Sequence, residues 1–224
     1  MNLVAEDVTV EQNQSPCRSG SVVIEPVTAA GSWAYLFVKR SFDILFALGV
    51  GLVMLIPMAL IVIAIKADSH GPALFRQERL GKDGKPFVMY KFRSMYTNAE
   101  INGPQWADKE DWRCTCVGRV LRRTRLDELP QLWNILVGDM SVVGPRPERQ
   151  YFYDKFETYI PGFSRRLIVK PGLTGWAQVN GGYDLAPEEK IVYDMEYIQN
   201  RSMSMDLKCI LKTVRLVFTH EGAR

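Results

Sequence analysis

The sequence predicts an α/β (α+β) chain, rich in helix: a membrane-inserted helix near the N-terminus, then a compact domain whose helices surround a small antiparallel sheet. Three observations predict it. Residues 44 to 65, ILFALGVGLVMLIPMALIVIAI, run for 22 positions without a charge. LFRQERLGKDGKPFVMYKFRSM alternates apolar and polar residues on both sides of Asp83-Gly84, the pattern of two strands and a turn. VGRVLRRTRLDELPQLWNIL and MDLKCILKTVRLVF space their apolar residues as helices do. A chain of 224 residues is long enough for one domain with a sizeable core.

The first 32 residues are polar and irregular and contain no apolar run like that of a signal peptide. They read as a mobile tail, extended here to 1–38. The membrane segment is placed at 39–66 and the cytosolic domain at 67–224. About 20 apolar residues make a candidate bilayer span, and a soluble helix apolar on every side is unusual. Pro57 removes a backbone donor and is expected to break the helix there. The halves, 44–56 and 57–65, would then be roughly 20 Å and 14 Å long at 1.5 Å per residue, and neither alone crosses a core of about 30 Å. Gly49 and Gly51 are expected to allow close packing in a bend. Lys39 and Arg40 precede the run, while Lys66, Arg76 and Arg79 follow it. A helix that enters and returns on one side keeps both basic flanks in the cytosol, whereas a spanning helix strands one outside. Composition leaves both topologies open.

In the second predicted strand, Lys91 and Arg93 stand two apart and so are expected on one side. Residues 97–116, with Trp106 and Trp112, read as a loop or short helices. In the next helix Val117, Val120 and Leu121 form the apolar stripe, and Arg119, Arg122 and Arg123 the basic one. A further helix is expected to start at Asp127 as its cap, with Pro130 in the first turn and Leu129, Leu132, Trp133 and Leu136 buried. Asp127 and Glu128 then form a carboxylate pair at a helix mouth. Backbone donors and nearby arginines are expected to hold the carboxylate ionised. The same pattern also suits an ordinary cap with surface ion pairs. Arg146, between Pro145 and Pro147, is a guanidinium on a stiff loop, suited to a phosphate. In the last helix Leu207, Ile210, Leu211, Val214 and Phe218 are expected to face the core or a membrane surface, opposite Lys208, Lys212 and Arg215.

Other chemistries are poorly served. A net charge of +3 is too small to argue for nucleic acid. Cys17, Cys114, Cys116 and Cys209 match neither zinc nor redox spacings and read as reduced thiols. His70 and His220 are isolated, and neither a Walker loop nor GxGxxG occurs.

Several long motifs in one order, KRSFDI, YKFRSM, LDELPQLWN, GDMSVVGPRP, KPGLTGWAQVNG and DLK, make the chain from about Lys39 to Arg224 resemble the bacterial sugar transferases. These are monotopic phosphoglycosyl transferases that begin exopolysaccharide, capsule or O-antigen assembly. The resemblance implies a re-entrant helix at the cytosolic face of a bacterial inner membrane. It implies transfer of a sugar 1-phosphate from a UDP-sugar to polyprenyl (undecaprenyl) phosphate, with release of UMP through a covalent phosphosugar on Asp127. It further implies Mg²⁺ held by Asp127 and Glu128, and phosphate contacts from Lys91, Arg122 and Arg146. Asp194 and Asp206 match family acidic positions of less defined role. The partners implied are the two substrates and the bilayer, not nucleic acid, with room for a homodimer. The sequence departs from relatives at Ile56, often Ser there, and at GGYD, where some carry Arg-Asn. Without the extra membrane helices of longer relatives it reads as a minimal catalytic unit. A Mg²⁺-dependent diphosphate hydrolase using the same dyad, and a non-catalytic membrane adaptor, remain as alternatives.

Overall fold

The computed structural model describes residues 24, 26–101, 103, 111–181 and 185–219. Cys17, Trp106, His220 and most of GGYD lie outside them, as does the side chain of Phe218. The chain opens with two helices, α1 (Trp33–Val53) and α2 (Leu55–Asp68). An antiparallel hairpin follows, β1 (Leu74–Leu80) and β2 (Pro86–Phe92), with Leu74 opposite Phe92 and Leu80 opposite Pro86. Its turn takes left-handed backbone at Asp83 (φ 57°) and Gly84 (φ 73°), the property that Asp-Gly supplies. Next come α3 (Cys116–Thr124), a 3-10 turn at Leu126–Glu128, α4 (Gln131–Val137) and β3 (Ser141–Val143). The remainder is α5 (Gln150–Glu157), a 3-10 segment Phe163–Ile168, β4 (Gly172–Thr174), α6 (Trp176–Asn180), α7 (Pro187–Asn200) and α8 (Met203–Thr219).

The sheet expectation holds for the hairpin and misses a second pair. β3 and β4 run parallel, Ser141 beside Gly172 and Val143 beside Thr174. Their junction explains the glycines of GPRP and KPGLTG. A Cβ on Gly172 would lie 2.1 Å from the Gly144 nitrogen, and one on Gly175 2.1 Å from the Gly144 oxygen. Only bare backbone permits that approach.

The helix break lies at Met54, three residues before the expected Pro57, with a bend of 62°. Proline cannot donate to the carbonyl four residues back, and its ring crowds that carbonyl, here Val53. The helix therefore ends at Val53 and restarts, which puts Pro57 in the first turn of α2, where its missing donor is harmless. Gly49 and Gly51 have no neighbour within 4 Å of a built Cβ, so they do not serve close packing. Among the described residues no single helix is long and apolar enough to cross a membrane; the bent pair taken together has the length and composition of a broken span or a re-entrant loop. Leu45, Leu48, Leu52, Ile56, Leu60 and Ile63 on it are all more than half exposed, an apolar surface that water does not favour.

Both ends of the bent pair are tied to the same body. Arg40 donates to the carbonyls of Ile135 (2.6 Å) and Leu136 (2.8 Å) near the end of α4. Asp43, buried, accepts from Ser141 Oγ (3.0 Å) and the Val142 amide (2.9 Å). At the far end Arg93 donates to the carbonyls of Ser69 (2.7 Å) and His70 (2.6 Å), and Asp68 accepts from the Val117 amide (3.0 Å). The main core joins α4, β3, α5, α7 and α8 around Ile135, Val143, Phe156, Phe163, Ile191 and Ile198. A smaller core of Ile65, Ala73, Phe92 and Leu121 seats α2 on the hairpin and α3.

Two predicted helix faces are turned. Val120 is 60% exposed on α3. On α8, Met205, Asp206 and Cys209 are buried, while Leu207, Leu211 and Val214 are outside. Asp206 goes inward because it is fully partnered: Lys39 (2.9 Å), Tyr35 (3.0 Å) and Tyr197 (2.8 Å) all donate to it. A satisfied charge buries without the penalty that an unpaired one carries.

Candidate active site

The carboxylate pair does not cap a helix. α3 is started by Thr115, whose Oγ1 accepts from the Gly118 amide (3.0 Å). It is stopped by Arg125, held left-handed at φ 58°. The chain then makes a single 3-10 turn carrying Asp127 and Glu128, and α4 begins only at Gln131. Leu126 and Leu129, flanking the pair, pack on the same small core as Met58, Ile61 and Val62 of α2. The bent helix is thus the seat of the turn. In α4, Leu132 is buried as expected, but so are Gln131, Asn134 and Ile135, and Trp133 is 57% exposed. Asn134 turns inward because its side chain bridges the Tyr90 amide (3.1 Å) and the Val88 carbonyl (2.7 Å), locking α4 to β2.

Asp127, Glu128, Lys91, Arg122 and Arg146, from four separate stretches of sequence, line one cavity of about 800 Å³. Lys91 Nζ lies 3.2 Å from Glu128 Oε1, and the Arg146 guanidinium pairs with the same oxygen. Arg122 also reaches Cys114 Sγ at 3.0 Å. Asp127 is buried, and none of the described side chains hydrogen-bonds its carboxylate. The two acids therefore differ in charge state. Burial would raise Glu128, but Arg146 and Lys91 overcome it and hold Glu128 well below the usual range. Burial lifts Asp127 to about 6 and the Glu128 charge adds to this, against the pull of Lys91, Arg146 and Arg122. The expectation that arginines hold Asp127 low is thus corrected: the cations sit on Glu128, and desolvation governs its neighbour.

The Arg146 loop is clamped through its backbone. Arg166, fully buried, donates to the Arg146 carbonyl (2.8 Å), and Arg79 to that of Pro147 (3.2 Å). Asp194 lies 2.7 Å from Arg166, so it supports the loop from behind and does not line the cavity. Asp206 is farther off, in the joint between α1 and α8. Arg93 shares the cavity wall, but its guanidinium is committed to the end of α2. Sequence reasoning passed over Glu148, which pairs with Arg79 (3.0 Å) and Lys190 on the cavity wall. Its signal was the last letter of GPRPE. It also passed over Arg125, which immediately precedes LDELPQLWN, and Gln178, which lies within KPGLTGWAQVNG; both line the cavity.

Among the described residues no group of three or more His, Cys, Asp or Glu side chains forms a cage for a metal. The dyad still fits a hard cation that takes most of its ligands from elsewhere. Mg²⁺ is commonly held by one or two carboxylates, with substrate phosphate oxygens and water completing its shell. Asp127, whose carboxylate accepts no hydrogen bond from the described side chains, has oxygens to offer at the cavity wall.

Residues 34–220 match the model of the bacterial sugar transferase family. The chain is similar to the UDP-N-acetylgalactosamine-undecaprenyl-phosphate N-acetylgalactosaminephosphotransferase of Aeromonas hydrophila, 44% identical over 92% of this chain and 48% of that protein. It is similar to two proteins named UDP-glucose:undecaprenyl-phosphate glucose-1-phosphate transferase. That of Escherichia coli is 41% identical over 83% of this chain and 41% of its own length. That of Caulobacter vibrioides is 41% identical over 83% of this chain and 71% of its own. The chain thus spans about half the length, or less, of the first two.

Proposed function

The chain belongs to the bacterial sugar transferase family, and from that premise we propose that it moves a sugar 1-phosphate from a UDP-sugar to polyprenyl phosphate at a membrane surface, as the membrane step that begins glycoconjugate synthesis. The carrying observation is the unequal dyad: a buried Asp127 whose carboxylate accepts no hydrogen bond from the described side chains, beside a Glu128 held ionised by Lys91 and Arg146. The relatives' names carry two sugars, glucose and N-acetylgalactosamine, so the donor is assigned only as a UDP-sugar.

An Asp127 oxygen attacks the β-phosphorus of the donor. A P–O bond forms to the aspartate, the P–O bond to the α-phosphate breaks, and UMP departs with the electron pair. An oxygen of polyprenyl phosphate then attacks the same phosphorus. Its new P–O bond displaces the aspartate and yields a polyprenyl diphosphate sugar. Splitting one transfer into two displacements is the ordinary gain of covalent catalysis. Lys91, Arg122 and Arg146 place positive charge along the cavity wall where the diphosphate must lie. Mg²⁺ on the dyad would neutralise further phosphate charge. Glu128 keeps Lys91 and Arg146 aimed into the cavity.

The bent pair, tied to one body at both ends, supports a hairpin that enters the bilayer from the cytosolic face and returns to it. That topology brings the cavity to the lipid headgroups. The exposed apolar stripe of α8, with Lys208 and Lys212 beside it, suits the same surface. In detergent or nanodiscs with Mg²⁺, the protein is expected to release UMP from a UDP-sugar when polyprenyl phosphate is supplied. Asp127→Asn should reduce this by several orders of magnitude. Undiminished release from Asp127→Asn would remove that residue from the mechanism.

A further inference from the structure

The main cavity has an apolar annex at the foot of the bent helix. A second concavity of about 650 Å³ lies against α2 and β1, walled by Val62, Ala73, Leu74 and Phe75 and edged by Lys66 and Arg76. Pro72, Leu74 and Phe75 line both hollows, so the annex shares a wall with the cavity that holds the dyad. Leu74 and Phe75 are each 40% exposed. Among the described residues neither Lys66 nor Arg76 pairs with an acid. Arg76 instead lies over the Tyr90 ring at 5.7 Å, which fixes its side chain at the edge of the groove.

From these features we infer that this groove is the entry site of the lipid acceptor. The first isoprene units lie on Val62, Ala73, Leu74 and Phe75, and Lys66 and Arg76 receive the phosphate as it leaves the headgroup layer. Three properties select that occupant. The walls are apolar and continuous with the exposed side of α2, so a hydrocarbon chain can leave the groove without crossing water. The two rim cations lack acid partners, so an anionic headgroup supplies the charge they want. The groove adjoins the cavity of the dyad through Pro72, Leu74 and Phe75, and the second displacement there needs a phosphate that is still attached to a long apolar chain. A water-soluble diphosphate sugar has no use for the apolar walls. The assignment rests on the transferase reading given above and adds where the acceptor enters.

Photo-crosslinking tests it without needing turnover. p-Benzoylphenylalanine would replace Val62 and, as a control far from the groove, Tyr159, which is 41% exposed after α5. Each protein in nanodiscs would be irradiated with polyprenyl phosphate or the neutral polyprenol of equal length. The expected result is a lipid adduct at position 62 and not at 159, strong with the phosphate and weak with the alcohol. Lys66→Gln with Arg76→Gln, both at exposed positions, should cut that adduct by roughly tenfold and raise the KM for polyprenyl phosphate by a similar factor, more than the KM for the UDP-sugar. Equal adducts from phosphate and alcohol, or a double variant that binds as the parent does, would overturn the assignment. A selective adduct at position 62, with no UMP released by the parent protein, would keep the groove and reject the transferase reading.

Discussion

Asp127 and Glu128 are neighbours in sequence with opposite electrostatic fates. Glu128 takes both cations and stays charged, while Asp127 keeps a raised affinity for its proton, near pH 6. Attack on phosphorus needs the carboxylate form. Adduct formation is therefore expected to be level above about pH 7 and to fall about tenfold per unit well below 6, read by single-turnover UMP release across pH. A profile flat down to pH 4.5 would mean that the proton on Asp127 does not control the step. The stability consequence has the opposite sense. The folded-state value lies above the ordinary 3.8, so the fold favours the protonated acid, and stability is lost as pH rises from about 4 to about 6. LDE in the sequence pointed to this pair but not to its asymmetry. That depends on Lys91 and Arg146, 36 residues before and 19 residues after Asp127, converging on one oxygen.

At the scale of elements, local pattern found what local forces make. The hairpin about Asp83-Gly84 and the helices at 116–124 and 203–219 follow from turn chemistry and apolar period. Pattern failed where a distant partner decides. β3 and β4 are three residues each and exist because two glycine-bearing backbones meet. The dyad turn replaces an expected helix start because Leu126 and Leu129 must reach the core beside α2. α8 presents Asp206 inward because Lys39, Tyr35 and Tyr197 await it. The joint between α1 and β3 is of this kind too. Asp43→Ala leaves the Val142 amide and the Ser141 hydroxyl without their acceptor. It is expected to cost about 1–3 kcal/mol, a fall in Tm of several degrees at roughly 2–4 °C per kcal/mol. An unchanged melting curve in nanodiscs would show that Asp43 does not hold α1 to the domain.

Across the whole molecule, one body grips both ends of a bent apolar helix pair and carries its candidate site at the foot of that pair. The uncharged run signalled a membrane; the topology was not legible, because basic flanks are compatible with either side until their partners are known. Arg40 proves to be a clasp on α4, and Lys39 a clasp on α8. A cysteine placed at Thr28, which is exposed just before α1, in a variant free of other cysteines, is therefore expected to resist an impermeant thiol reagent in intact cells and to react after lysis. Labelling in intact cells would make the helix pair a span. The central claim is a phosphosugar carried on Asp127, and intact-protein mass spectrometry tests it most directly. The protein would be mixed with Mg²⁺ and one UDP-sugar at a time, with no lipid acceptor. The account predicts a mass gain equal to one sugar phosphate, absent from Asp127→Asn and discharged by polyprenyl phosphate. No adduct with any donor, while UMP still forms once polyprenyl phosphate is added, would contradict it and make the transfer direct.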